Sequence, residues 1–122
     1  MKAGNLKPGV RLRLVLRPDV AIGPGRADML EGIVATGSIA AAGRRMGMSY
    51  KRAWMLVEEL NGAFRGPLVA AATGGRAGGG AKLTALGADV LARYRRIEAA
   101  AELAARKDLT ALRRVLAPIA DT

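Results

Sequence analysis

The side chains best suited to recognition stand together at the head of one helical stretch: Ser49, Tyr50, Lys51, Arg52 and Trp54. Two cations, two amphipathic rings and a hydroxyl make a surface for binding. They do not make a constellation for breaking bonds. The chain has no Cys and no His, which removes thiolate chemistry, disulfides, the commonest metal ligand and the commonest general base. Glu58 and Glu59 are neighbours on a helical stretch, so their side chains diverge. With no paired constellation in view, an enzyme is the weakest reading, and the sequence calls for no cofactor and no metal.

These residues need a scaffold, and residues 37–61 read as two short helices with a tight turn between them. Ser38 is a good N-cap, since its hydroxyl can accept a free amide of the first turn. Ala42 and Met46 fall on one face, four residues apart. Gly47 can take the left-handed conformation that ends a helix. Ser49 offers a second N-cap, and Ala53, Val57 and Leu60 continue an inward stripe. Gly43 is small, as a close helix crossing requires. This is the pattern of a helix-turn-helix, with residues 49–63 offered to the DNA major groove. A helical hairpin in a bundle shares some of these features. The cluster of Tyr50, Lys51, Arg52, Trp54 and Met55 near the outward side favours recognition, because a merely solvated helix carries mixed charges there.

A second stretch, residues 74–80, holds five glycines in seven residues. A nucleotide-binding P-loop needs Gly-Lys followed by Ser or Thr, and here Gly80 is followed by Ala81, Lys82 and Leu83. The better reading is a hairpin tip, or wing, between strands at residues 68–73 and 81–84. Its glycines let backbone approach a sugar-phosphate chain, and Arg76 can reach a phosphate or the minor groove. A plain exposed loop is the alternative. Across residues 37–82, Arg44, Arg45, Lys51, Arg52, Arg65, Arg76 and Lys82 face only Glu58 and Glu59. Half of the chain's net charge of +10 thus accompanies the motif, which favours a polyanionic partner.

Gly37-Ser38-Ile39, Ser49-Tyr50-Lys51 with Ala53-Trp54, and the run from Ala72-Thr73-Gly74-Gly75-Arg76 through Gly78-Gly79-Gly80-Ala81 to Leu83-Thr84 resemble the DNA-binding domain of ModE-type molybdate-responsive regulators. The resemblance covers roughly residues 12–94 and rests on two separate motifs in the right order. It implies a winged-helix fold, a dimer and transcriptional regulation. In that family molybdate is sensed by a C-terminal region of small β-barrel domains. Nothing after Thr84 reads as the alternating strands such a region needs, so molybdate is not expected to bind this chain directly.

The remaining elements supply support. The chain's 122 residues suit one domain. Much of the 51% hydrophobic share is alanine and only 3% of the chain is aromatic, so a modest core helped by dimerisation is expected. Residues 10–17 alternate, with Val10, Leu12, Leu14 and Leu16 facing one way and Arg11, Arg13, Val15 and Arg17 the other, as in a half-buried strand. Its arginines read first as solvated charges guarding an edge, with phosphate contact as the alternative. Pro24 suits the first turn of a helix carrying Ala27, Leu30, Ile33 and Val34 and ending near Gly37.

From Thr84 to about Lys107 the pattern is helical, with Leu83, Leu86, Val90, Tyr94, Ile97, Ala101 and Ala104 in a stripe. At ~36 Å such a helix outruns this small core and looks for a partner. A second segment carries Leu109, Leu112, Leu116 and Ile119, with Pro118 near its end. Residues 1–9 lack the apolar stretch of a signal peptide and no apolar run is long enough for a membrane span, so the expected location is cytoplasmic.

The sequence therefore predicts a mainly α fold with a small β-sheet: a winged helix-turn-helix core at residues 10–83 and a helical dimerisation segment at 84–122. The expected partners are double-stranded DNA and a second copy. Ser49, Tyr50, Lys51, Arg52, Trp54, Arg76, Arg44, Arg45 and Lys82 form the expected contact set. Two alternatives stand beside a sequence-specific regulator. A non-specific architectural DNA-binding protein would have less use for the Tyr50–Trp54 cluster. A protein-interaction module would bind DNA, if at all, without regard to it.

Overall fold

The computed structural model describes residues 7–72 and 80–119. It is mainly helical, with strand β1 (Leu14–Arg17), strand β2 (Val20–Ile22), helices α1 (Pro24–Thr36), α2 (Ile39–Arg45) and α3 (Tyr50–Ala63), strands β3 (Val69–Ala72) and β4 (Gly80–Leu83), and helix α4 (Ala85–Arg114). Among the described residues there are two antiparallel two-stranded sheets, β1–β2 and β3–β4, where a single sheet was expected.

The first sheet departs most from expectation. The strand at residues 10–17 shortens to Leu14–Arg17, and Val20–Ile22 returns against it after a turn at Pro18 and Asp19. The register slips between Val15 and Arg17. A one-residue irregularity of this kind turns the strand, and Leu16, expected inside with Leu14, is 56% exposed. Strand β2 has three residues, too few for alternation to show.

Helix α1 begins at Pro24 as its composition dictates and stops at Gly37, whose φ of 72° is left-handed. Ala27, Met29, Leu30 and Ile33 are buried, but Val34, assigned to the stripe, is exposed. The Gly37 carbonyl accepts from the Ala81 amide at 2.8 Å, fastening the α1–α2 corner to β4. The main core gathers Met29, Leu30, Ile33, Ile39, Ala42, Ala53, Val57, Leu60, Leu68, Val69 and Ala81 from α1, α2, α3, the second sheet and the residue before β3. Its buried side chains are all aliphatic or methionine, and Ala42, Ala53 and Ala81 stand where elements pack closely.

Helix α4 runs unbroken for 30 residues, about 45 Å. The break expected near Lys107 is absent, and Leu109 and Leu112 belong to the same helix. No Gly or Pro stands between Lys107 and Arg114, and alanine, leucine, lysine and arginine there all favour propagation. Thr84 caps it as expected, its hydroxyl accepting from the Gly87 amide at 3.0 Å and donating to the Pro67 carbonyl at 2.7 Å. Tyr94, 1% exposed, packs with Ile22 and Ala27 in a second small core, and its hydroxyl donates to the Leu12 carbonyl at 2.7 Å.

Arg95 ties α4 to α1 through Asp28 at 2.8 Å and Glu31 at 3.3 Å, and also reaches Glu98 at 2.8 Å. Partial burial works against the guanidinium charge, but its bonds to Asp28 and Glu98 outweigh that and hold it above its ordinary pKa. No helix among the described residues is long and apolar enough to cross a membrane.

Candidate nucleic-acid interface

The interface is built on the crossing of α2 and α3. Ser38 caps α2 by accepting from the Ala41 amide at 3.1 Å, and Ser49 caps α3 by accepting from the Arg52 amide at 3.2 Å. The turn closes through the Gly47 amide on the Arg44 carbonyl and the Met48 amide on the Gly43 carbonyl, at 3.1 and 3.0 Å. Gly47 has φ of 70°, a conformation that a side chain would oppose. Gly43 is buried against Ala53 of α3 and Ala42 against Gly32 of α1, while Met46 and Met48 pack at the core's edge. The far end of α3 is fixed by Asn61, whose carboxamide oxygen accepts from the Leu68 and Val69 amides and whose nitrogen donates to the Val69 carbonyl. Helix α3 is thereby held at both ends.

With Ala53, Val57 and Leu60 buried, helical spacing assigns the other faces. Lys51, Met55 and Glu58 are exposed opposite the buried stripe. Tyr50 and Trp54 share one flank and meet edge to face, ring centroids 6.1 Å apart at 63°. They border a cleft of about 480 Å³ whose other wall includes Val69, Ala70, Gly80 and Ala81. Trp54, at 41% exposure, thus sits between α3 and the second sheet, with part of the indole open. Arg52 lies on the opposite flank, beside Met46, Met48 and the first hairpin.

The cluster expected on one outward side is therefore divided. Tyr50 and Trp54 face one flank, Arg52 the other, and Lys51 points between them. Arg44 and Arg45 are exposed in the last turn of α2, where cations complement the carbonyl end of the helix. Lys82 is exposed on β4, directly opposite Ala70. Arg76 lies outside the described residues, as does the expected wing at 74–80 apart from Gly80. Asn61 was not singled out in the sequence, because an Asn one turn from a helix end carries no signal of the strand it will bind. Among the described residues no group of three or more His, Cys, Asp or Glu side chains could hold a metal ion.

Comparison with known proteins places this surface in context. No protein-family profile matches the chain. Molybdenum-pterin-binding protein MopB of Rhodobacter capsulatus is 47% identical over 83 residues, 68% of this chain and 31% of MopB. Molybdenum transport protein ModE of Azotobacter vinelandii is 40% identical over 88 residues, 70% of this chain and 33% of ModE. The DNA-binding transcriptional dual regulator ModE of Escherichia coli K12 is 38% identical over 85 residues, 70% of this chain and 32% of that protein. The chain thus spans about one third of the length of the curated relatives it matches. By shared sequence over some two thirds of its own length, it is a ModE-like chain, homologous to ModE and to the Mop proteins.

Proposed function

We propose that this chain is a sequence-specific DNA-binding regulator of transcription that acts as a homodimer. In this reading residues 10–83 form a winged helix-turn-helix, α3 enters the major groove, and the β3–β4 hairpin carries the wing. The observation that carries the reading is the division of α3. Its Ala53, Val57 and Leu60 are buried, while Tyr50, Lys51, Arg52, Trp54 and Met55 are all exposed near its start. A helix held by a cap at one end and Asn61 at the other presents these groups without further ordering cost. Lys51 and Arg52 supply donors for base edges or phosphates, Ser49 a hydroxyl beside them, and Arg44, Arg45, Arg76 and Lys82 a surrounding positive field. The name of the Escherichia coli relative, a DNA-binding transcriptional dual regulator, supports the same reading.

The dimer is assigned to residues 84–122. Leu86, Ile97, Leu103, Leu112, Val115 and Leu116 are exposed on or just past α4, more apolar surface than a lone helix keeps in water. Two-fold pairing would set the two α3 helices about one DNA turn, ~34 Å, or a multiple of it apart.

The names of MopB and MopA favour a second reading, binding of a molybdenum-pterin group. The described cations fit an extended polyanion better than a closed oxyanion pocket. Arg17, Arg26, Arg93 and Arg95 are engaged with carboxylates, and Arg44, Arg45 and Lys51 are spread over exposed helix surface. A selective oxyanion site needs several converging donors. We therefore assign molybdate no direct site among the described residues.

Selection of bound duplexes from a random pool at physiological salt tests the function. A short inverted repeat is the expected result, and a pool that enriches nothing would favour an architectural role. Calorimetric titration with molybdate tests the ligand reading. Micromolar saturable binding, or a tenfold change in DNA affinity (~1.4 kcal/mol of coupling), would reverse it.

A further inference from the structure

The three arginines of the N-terminal strand region have different fates. Arg17 is engaged by Asp19 through two bonds, at 2.6 and 3.2 Å. Arg11 has its Nε buried and borders a cleft with Asp28, Glu31 and Glu98. Arg13 is exposed and makes no ion pair among the described residues. It lines a groove of about 470 Å³ between the β1–β2 hairpin and the α2–α3 turn, together with Arg52, Met46 and Met48. Of the charged groups on that groove, Arg26 is occupied by Glu59 at 2.7 Å and Asp19 by Arg17, so that Arg13 and Arg52 make no ion pair among the described residues.

Resting on the DNA reading of α3, we propose that the β1–β2 hairpin is a second DNA-contacting element, in which Arg13 and Arg52 together hold a backbone phosphate. The argument is one of fit and charge. A helix ~10–12 Å across in a major groove ~12 Å wide has a sugar-phosphate strand along each flank. The Tyr50–Trp54 flank faces the second sheet, and the Arg52 flank faces the first hairpin. A strand on that side meets two guanidiniums from different elements that make no ion pair among the described residues, on a groove that Met46 and Met48 also line. Two forks from separate elements fix the phosphate's position, and with it the register of α3. Arg13 carries no base information in this role.

Binding of wild type, Arg13→Gln and Lys107→Gln to a selected duplex and to a random one, from 50 to 200 mM salt, tests the proposal. Lys107→Gln removes the same charge from an exposed site far along α4. Arg13→Gln should lower the slope of log K against log salt by ~0.9, so that a fourfold rise in salt costs wild type about 3.5-fold more affinity than the variant. It should weaken both duplexes equally and leave the thermal midpoint unchanged. Lys107→Gln should leave the slope as in wild type. Equal slopes for all three proteins, or equal losses from both variants, would overturn the phosphate contact while leaving α3 recognition standing. A loss confined to the selected duplex would overturn it in favour of a base contact. A wild type that binds neither duplex would remove the reading of α3 and this proposal together.

Discussion

Gly43 and Ala53 meet where α2 crosses α3, so closely that a Cβ on Gly43 would lie 2.7 Å from the Ala53 Cβ. That distance sets the angle at which α3 leaves the core. Gly43→Ala must push the two helices apart, an overpacking that should cost about 1–3 kcal/mol. Urea unfolding would measure it. DNA affinity should fall further than the loss of folded protein explains, because Tyr50 and Arg52 move with the helix. A variant with wild-type stability would contradict the close crossing.

The bond from the Tyr94 hydroxyl to the Leu12 carbonyl ties the N-terminal segment to α4. Tyr94→Phe should cost about 0.5–1.5 kcal/mol. Burial, followed by the charge of Glu98, raises the Tyr94 pKa, so folding favours the neutral phenol. The contribution is fully present below the unfolded value of about 10. It is lost as pH rises from there through the higher folded value. The stability gap between wild type and Tyr94→Phe should therefore narrow in alkaline denaturant titrations. A gap that stays constant well above pH ~10 would show that the hydroxyl is not held as the structure has it.

The exposed apolar residues of α4 make the dimer directly testable. Sedimentation of the DNA-free protein at tens of micromolar should give a dimer, and Ile97→Glu should shift it toward monomer, since a charge buried at an interface lacks a partner. Ile97 is 44% exposed in the single chain, so the substitution has little to disturb in the fold itself. A monomeric wild type would exclude pairing through this helix.

Legibility in the sequence followed how locally each feature is determined. Ser38, Gly47, Ser49 and Thr84 carry their roles in side-chain chemistry or backbone freedom, and each caps or turns as its type implies. The stripe of Ala53, Val57 and Leu60 was legible from period alone. Strand β2 was not, because three residues between turns give no period. Residues 84–107 and the following segment, read as two pieces, join into one helix, because nothing between Lys107 and Arg114 stops its propagation. Arg13 and Arg52 are 39 positions apart in sequence, and only the packing of the hairpin beside the α2–α3 turn brings them to one groove. The flank that Arg52 takes, away from Tyr50 and Trp54, likewise depends on which residues the core buries.

The central claim, recognition of DNA sequence by α3, is tested most directly by one ratio: affinity for a selected duplex over affinity for a random one, at physiological salt, for wild type, Lys51→Ala and Arg52→Ala. The account predicts a wild-type ratio of at least 10³. It predicts that Lys51→Ala loses ~1–3 kcal/mol on the selected duplex and much less on the random one. Arg52→Ala, whose side chain is assigned to a phosphate, should weaken both alike. A wild-type ratio near one, or equal losses on both duplexes for Lys51→Ala, would contradict base recognition by this helix.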